Sequence, residues 1–278
     1  MIMTKKQTIQ DYADRIGRVS SYIADHLDDD LDMYKLAEIA CFSPGHWHRI
    51  YHAMTGETAA QTVRRLRLHR AAGELITSKR HIKAIAARAG YGSVEAFTRA
   101  FAAAYANPPA RYRNHIEETD MYNIDDVSIE SRPALKLATI SHTGPYMEIG
   151  KAFEQLYIWA SGHGLIGPDS RSIGVYLDDP AATPPAELRS EAGLIVPDDF
   201  SSDNPAISSR TLAAGPYAIL RHKGPYAELE KAYSWLYGTW LPQSGREAAD
   251  APPCEEYLNN PQQVPASELL TDICLPLK

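Results

Sequence analysis

Cysteine is scarce in this 278-residue chain: Cys41, Cys254 and Cys274 are the only three, and no two stand in Cys-x-x-Cys spacing. A disulfide framework and a cysteine zinc site are therefore unsupported, and a reducing compartment fits. Long apolar runs are missing as well. No stretch approaches the roughly 20 residues that cross a bilayer. Met1 to Gln10 is polar and has no signal-peptide core, so the expectation is a cytoplasmic protein without a membrane partner. The chain also lacks a phosphate-cradling glycine loop, a Gly-x-Ser-x-Gly elbow and a His-Glu-x-x-His helix. Nucleotide hydrolysis, serine esterase chemistry and zinc protease activity are disfavoured, and neither a cofactor nor a catalytic residue is expected.

Positive charge is lacking overall but not locally. The net charge is −7. Residues 1–116 carry 17 Lys+Arg and 11 Asp+Glu, whereas residues 117–278 carry 11 and 24. Within 33–113 the balance is 13 basic to 4 acidic, the footprint of a phosphate-binding module. The acidic half should avoid DNA.

The basic stretch says the same thing twice. Leu36, Ala37, Ala40, Phe42, Ser43, Trp47, Arg49 and Tyr51 recur as Ile85, Ala86, Ala89, Tyr91, Ser93, Phe97, Arg99 and Phe101. The offset is 49 residues before the turn and 50 after it, so one extra residue sits in the second turn. Each copy has a short apolar helix with alanines where another helix must come close, a turn, and a second amphipathic helix. That is a helix-turn-helix written twice. Between the copies, Thr58 with Gln61 makes a capping box, and no proline interrupts Ala59 to Ile76. About 18 residues at about 1.5 Å each span roughly 27 Å, close to the roughly 34 Å between successive major-groove faces of a duplex. Apolar positions Ile16, Val19, Tyr22, Ile23 and Leu27 mark a further helix before the repeat.

Leu36-Ala37, Thr55-Gly56, Arg64-Arg65-Leu66-Arg67-Leu68, Ala86, Gly90-Tyr91, Phe97 to Phe101 and Pro108 to Arg113 together resemble the AraC/XylS transcription-regulator family over its whole DNA-binding domain. Cys41 stands where the first turn usually has glycine, and Asn107 where one usually precedes the terminal proline motif. The resemblance places the base-reading positions on Gly45, His48 and Arg49 in the first reader and on Val94, Glu95 and Arg99 in the second, with His46 beside them. Arg49 can pair bidentately with guanine, Val94 offers only a thymine methyl contact, and Glu95 can accept from cytosine. The first reader should carry more specificity. A phosphate contact or a solvated face is the alternative for Arg49. His48 and His52 are spaced as helical metal ligands can be, but no carboxylate or cysteine is placed to complete a site, so no metal is expected. The linker arginines read as DNA-backbone contacts or partners of nearby acids.

Residues 117–126 turn acidic and lose periodicity, which marks an interdomain linker between domains at 1–116 and 127–278. The second domain is also duplicated. His142, Gly144, Pro145, Tyr146, Glu148, Lys151, Ala152, Leu156 and Tyr157 return 80 residues later, and Tyr176-Leu177-Asp178-Asp179-Pro180 returns as Tyr257-Leu258-Asn259-Asn260-Pro261. Each unit reads as β-α-β-β, with helices at Met147 to Ser161 and Ala227 to Trp240. The fold expected is thus multidomain α and α+β: an all-α double helix-turn-helix, then two β-α-β-β units forming an antiparallel sheet with a central cleft. The Gly-Pro-Tyr pairs, the Tyr-Leu-x-x-Pro turns and Ser190-Glu191-Ala192-Gly193 resemble the gyrase-inhibitor-like effector-binding domain, and the domain order is similar to that of Rob-like AraC regulators. This resemblance implies a small, lipophilic or cationic ligand in the cleft.

Strand alternation over Leu188 to Val196 sets Leu188, Ala192, Leu194 and Val196 against the helices and aims Glu191 into the groove. Its alternative is a solvated strand position. Tyr146, Trp159, Tyr176, Tyr226 and Tyr257 are the aromatic candidates to surround a ligand cation; Phe153, Tyr157, Tyr233 and Tyr237, at helical spacing, are assigned to the core. The expected function is a ligand-responsive regulator, not an enzyme, with double-stranded DNA, a small-molecule effector and RNA polymerase as partners. A hydrolase or scavenger of small reactive compounds, with Glu191 as general base, is the alternative.

Overall fold

The computed structural model describes residues 5–115, 122–167 and 170–278; residues 117–121 of the expected linker lie outside the described residues. The N-terminal region is helical: α1 (Lys5–Asp25), α2 (Met33–Ala40), α3 (Pro44–Thr55), α4 (Ala59–Thr77), α5 (Ile82–Arg88), α6 (Val94–Tyr105) and α7 (Pro109–His115). The repeat is the pair α2–α3 and the pair α5–α6, and each copy has its own core. Leu36, Ala37, Ala40, Trp47 and Tyr51 close against Ile16, Val19 and Ile23 of α1. Ile85, Ala86, Phe97 and Phe101 close against Leu68, Ala72 and Leu75 of α4. The small residues sit where helix axes approach, as the alanine spacing requires.

The two turns solve one backbone problem differently. Gly90 has φ +82°, and a Cβ there would lie 2.4 Å from Nη1 of Arg67, so a side chain would have to displace that guanidinium as well as adopt a left-handed backbone. Cys41 takes the same left-handed conformation (φ 54°) with a side chain, at a cost of about 1–2 kcal/mol. Before the terminal proline motif the left-handed residue is Ala106 (φ 57°), not Asn107. The capping box at Thr58 and Gln61 forms in both directions, and α4 runs 19 residues, about 28 Å. Its arginines point mostly inward. Arg67 donates to the carbonyls of Leu27 and Asp29, while Arg70 and Arg88 both pair with Asp28, and Arg88 also with Glu74. The acidic run that ends α1 is thereby tied to the strut joining the copies.

The C-terminal domain is one eight-stranded sheet, ordered β1-β6-β8-β7-β3-β4-β2-β5 and antiparallel throughout. The strands are β1 (Val127–Arg132), β2 (Leu135–Thr143), β3 (Ser172–Tyr176), β4 (Arg189–Ile195), β5 (Ser208–Leu212), β6 (Gly215–Lys223), β7 (Cys254–Tyr257) and β8 (Leu270–Pro276). α8 (Gly150–Gly162) covers the first half. The second is covered by α9 (Leu229–Trp235), which runs through a π turn at Leu236–Trp240 into α10 (Leu241–Ser244). The two β-α-β-β units, β2-α8-β3-β4 and β6-α9-β7-β8, meet where β3 pairs with β7. Both Gly-Pro-Tyr motifs form 3-10 turns, Tyr146–Glu148 and Tyr226–Glu228, ahead of their helices, so each α-helix starts later than its apolar period suggests.

Periodicity does not reveal β1 and β5. Each precedes one unit and crosses to the edge of the other: β1 pairs with β6, and β5 with β2. The inner four residues of β1 are exposed, and an edge strand exposed on both faces has no alternation to read.

The domains are in contact. α1 lies along α8 so closely that a Cβ on Gly162 would come 3.1 Å from the Ala13 Cβ, and Ile158 of α8 joins the core of the first helix-turn-helix. Lys151 pairs with Asp25 at 3.1 Å. At the other end, Ala227 and Ala266 pack on the core of the second copy.

Candidate effector site and nucleic-acid interface

The centre of the C-terminal domain is the β3–β7 pairing, where Gly174 stands directly opposite Glu255. Strand alternation puts Tyr176 on the face of Gly174 and Tyr257 on the face of Glu255, so one carboxylate and two phenols converge. Glu255 is 3 % exposed. Its Oε2 accepts from the Tyr257 hydroxyl at 2.7 Å and the Tyr176 hydroxyl at 3.0 Å, and the two phenol oxygens are 2.6 Å apart. Tyr226 and Phe153 meet the Tyr257 ring edge-on at 5.3 and 5.2 Å, and Tyr146 meets Tyr176 at 4.8 Å.

Burial pushes the Glu255 carboxyl up to about 7, with the hydroxyls of Tyr257, Tyr176 and Tyr233 partly offsetting the loss of water. The Tyr233 hydroxyl is close enough to act on the charge, yet it is buried without a hydrogen-bond partner. A lone carboxylate in aromatic surroundings is unfavourable to ionise. The same carboxylate with a cation against it is stabilised, and the ring faces add about 0.5–2 kcal/mol each. The group opens on a cavity of about 2650 Å³ that runs along the seam between the domains.

Four of the aromatic residues expected from the sequence line this cavity: Tyr146, Tyr176, Tyr226 and Tyr257. Trp159 is elsewhere, buried in the core beneath α8 and stacked on His163 at 4.5 Å. Glu191 is also elsewhere. The split of β4 into two faces is as expected, with Ala192 and Leu194 under α8. The cleft, however, lies on the helix-covered face, between the two halves, whereas Glu191 projects from the opposite face. There Arg210 grips it with Nε and Nη2, each at 2.6 Å. Glu255 is the carboxylate that sequence reasoning passed over. Its signal was the Glu255-x-Tyr257 spacing, which assigns both side chains to one face of a strand. Phe153, Tyr157, Tyr233 and Tyr237, assigned to the core, also line the cavity, and Tyr237 is exposed.

On the N-terminal domain, α3 exposes His46 and Arg49, with His48 partly covered against Trp47; α6 exposes Glu95 and Arg99, with Val94 partly covered. Arg49 has no ion-pair partner among the described residues, in contrast to Arg65, Arg70 and Arg88. Glu95 turns back on its own backbone N–H and on Ser93, which holds its carboxyl below the usual range. It caps its helix. Among the described residues no helix is long and apolar enough to cross a membrane.

Comparison with known proteins bears on both regions. Residues 125–278 match the GyrI-like small molecule binding domain. The chain belongs to the GyrI-like family. Residues 36–115 of this GyrI-like protein match a helix-turn-helix domain, so it joins an AraC-type DNA-binding domain to a small-molecule-binding one. It is 28 % identical over 153 residues to the probable transcriptional regulator YgiV of Escherichia coli, covering 55 % of this chain and 96 % of that protein. It is 34 % identical to a DNA gyrase inhibitor of Yersinia enterocolitica, over 48 % and 85 % of the two chains. A helix-turn-helix regulator of Bacillus subtilis, YbfP, is 31 % identical over 38 % of this chain and 36 % of its own length. The combination is that of a ligand-responsive transcription regulator.

Proposed function

We propose that this GyrI-like protein regulates transcription in response to a small lipophilic cation held against Glu255 by Tyr176, Tyr226, Tyr233 and Tyr257, with Tyr146 at the rim. The observation that carries the reading is a buried carboxyl with a raised pKa inside a ring of tyrosines that opens on a cavity. The functional division is 1–116 for DNA, 117–126 as connector and 127–278 for the effector. α3 and α6 enter adjacent major grooves, Arg49 and Arg99 read or position, and His46, His48, Val94 and Glu95 flank them. RNA polymerase is the partner that the AraC-type domain implies. The hydrolytic alternative loses support because Glu191, the base it requires, is held by Arg210.

The test is a titration of the full chain with tetraphenylphosphonium, followed by tryptophan fluorescence, alongside mobility shifts on duplexes selected by the full chain. Saturable binding of the cation is expected, as is duplex binding that weakens steeply with salt. Fluorescence that never saturates, or duplex affinity indifferent to salt, would overturn the respective half of the reading.

A further inference from the structure

The cavity before Glu255 is not closed by the C-terminal domain alone. Gln61, Arg65, His69, Gly73 and Thr77 follow one another at intervals of four along α4, and all five line it. Successive members of the row are neighbours on the helix surface, and each step of four winds the row about 40° around the axis. Other faces of α4 are occupied elsewhere: Ala59 belongs to the core of the first helix-turn-helix, and Ala72 and Leu75 to that of the second. The strut that spaces the two readers is therefore also a wall of the effector cavity.

Contacts run from the carboxylate to this wall without a break. The Tyr257 hydroxyl donates to Glu255 at 2.7 Å, Tyr226 meets Tyr257 edge-on at 5.3 Å, and His69 meets Tyr226 edge-on at 6.3 Å. His69 is anchored in turn to the first half of the effector domain through its Nε2 and the Met147 carbonyl, 2.9 Å apart. Toward its N-terminal end, α4 is held to the second half. Arg65 pairs with the buried Glu57, and Glu57 accepts from Nε2 of Gln262 at 3.2 Å.

We propose that α4 is part of the effector site: a cation seated on Glu255 presses against the His69–Gly73 stretch, and occupancy is read through the placement of the strut that holds both readers. This rests on the reading of Glu255 given above. A ligand shifts an equilibrium only through contacts that differ between its two arrangements. A ligand touching α4 has such contacts, because α4 moves with the readers while the tyrosines stay with the sheet. Linkage then requires that DNA alter the affinity for the cation by the same factor that the cation alters the affinity for DNA.

Gly73 gives a clean probe. A Cβ there would lie 3.4 Å from Cε of Met147, an ordinary contact; alanine is accommodated, whereas leucine projects into the cavity from the DNA-binding side. Tetraphenylphosphonium affinity is measured on the full chain for wild type, Gly73→Ala, Gly73→Leu and Glu255→Gln, with circular dichroism and melting confirming that each is folded. It is measured again for wild type saturated with its selected duplex, which needs no variant. Gly73→Leu should bind at least about tenfold more weakly than wild type, with Gly73→Ala weakened far less, and duplex should change wild-type affinity by about fivefold or more. Glu255-dependent binding that ignores both Gly73→Leu and duplex overturns the role of α4 and leaves the Glu255 reading standing. No Glu255-dependent binding overturns both.

Discussion

The two halves of the effector domain share a fold, a Gly-Pro-Tyr turn and a strand ending in tyrosine, yet at the position where they face each other one has Gly174 and the other Glu255. The difference shows what duplication cannot do. Residues directly opposite on antiparallel strands have Cβ atoms about 4.5–5.5 Å apart, so a symmetric pair of glutamates would bury two like charges in contact. With glycine on one side, a single carboxyl keeps both phenols. A Cβ at Gly174 would come within 2.9 Å of the Tyr257 hydroxyl and 3.0 Å of the Tyr176 hydroxyl, so the space above the glycine is where those groups stand.

Glu255→Gln makes the halves more alike in charge and should have the largest effect, a loss of about 2–5 kcal/mol in binding of tetraphenylphosphonium measured by calorimetry. Wild-type affinity should rise between pH 6 and 8 as a carboxyl with a pKa of about 7 ionises, and the glutamine variant should show a flat profile. In the free protein the sign reverses. The folded-state pKa lies above the unfolded value of about 4.5, so the native state holds the proton longer and stability falls as pH rises from about 4.5 to about 7. Glu255→Gln should remove that slope from urea melts.

Gly174→Ala attacks the other side of the comparison. It should destabilise the fold by about 1–3 kcal/mol through overpacking and weaken cation binding by displacing the tyrosine hydroxyls; a variant with unchanged melting and binding would mean that the glycine is incidental. In the N-terminal duplication the equivalent Arg49 and Arg99 are both exposed, and the difference lies at Gly45 against Glu95. Arg49→Ala should reduce specific DNA affinity by about 1–3 kcal/mol and relax preference at one base position. Uniform loss across unrelated duplexes would make Arg49 a phosphate contact. The smallest effect is expected for Glu191→Gln. That carboxylate pairs with a partly exposed Arg210, so stability should change by no more than about 1 kcal/mol and cation affinity should not move.

Most of the scaffold was legible because it is periodic and repeated. The two helix-turn-helix copies, the capped strut and the paired β-α-β-β units all follow from residues recurring at fixed offsets, and Tyr146, Tyr176, Tyr226 and Tyr257 were found because the repeat named them twice. The same reliance on repetition hid Glu255, which has no acidic counterpart at Gly174. Glu191 attracted attention because alternation separates the faces of β4 correctly without saying which face the cleft opens on; that depends on where the helices of the two halves diverge. β1 escaped notice because an edge strand wet on both faces carries no pattern, and β5 because it half-buries only Arg210 and Leu212. The contact between α4 and the effector cavity required the domains to be brought together, since nothing local distinguishes a helix face turned toward solvent from one turned toward another domain's cavity.

The crossing of β1 and β5 bears on how a guest arrives. Each half lends its leading strand to its neighbour's outer margin, in ladders of six and five residue pairs, so splaying the halves would unzip both margins along with the central seam. The sheet is laced like a corset, and the wall that the DNA-binding domain contributes to the cavity lies outside the lacing. A guest that enters along α4 therefore leaves every strand pairing of the sheet intact.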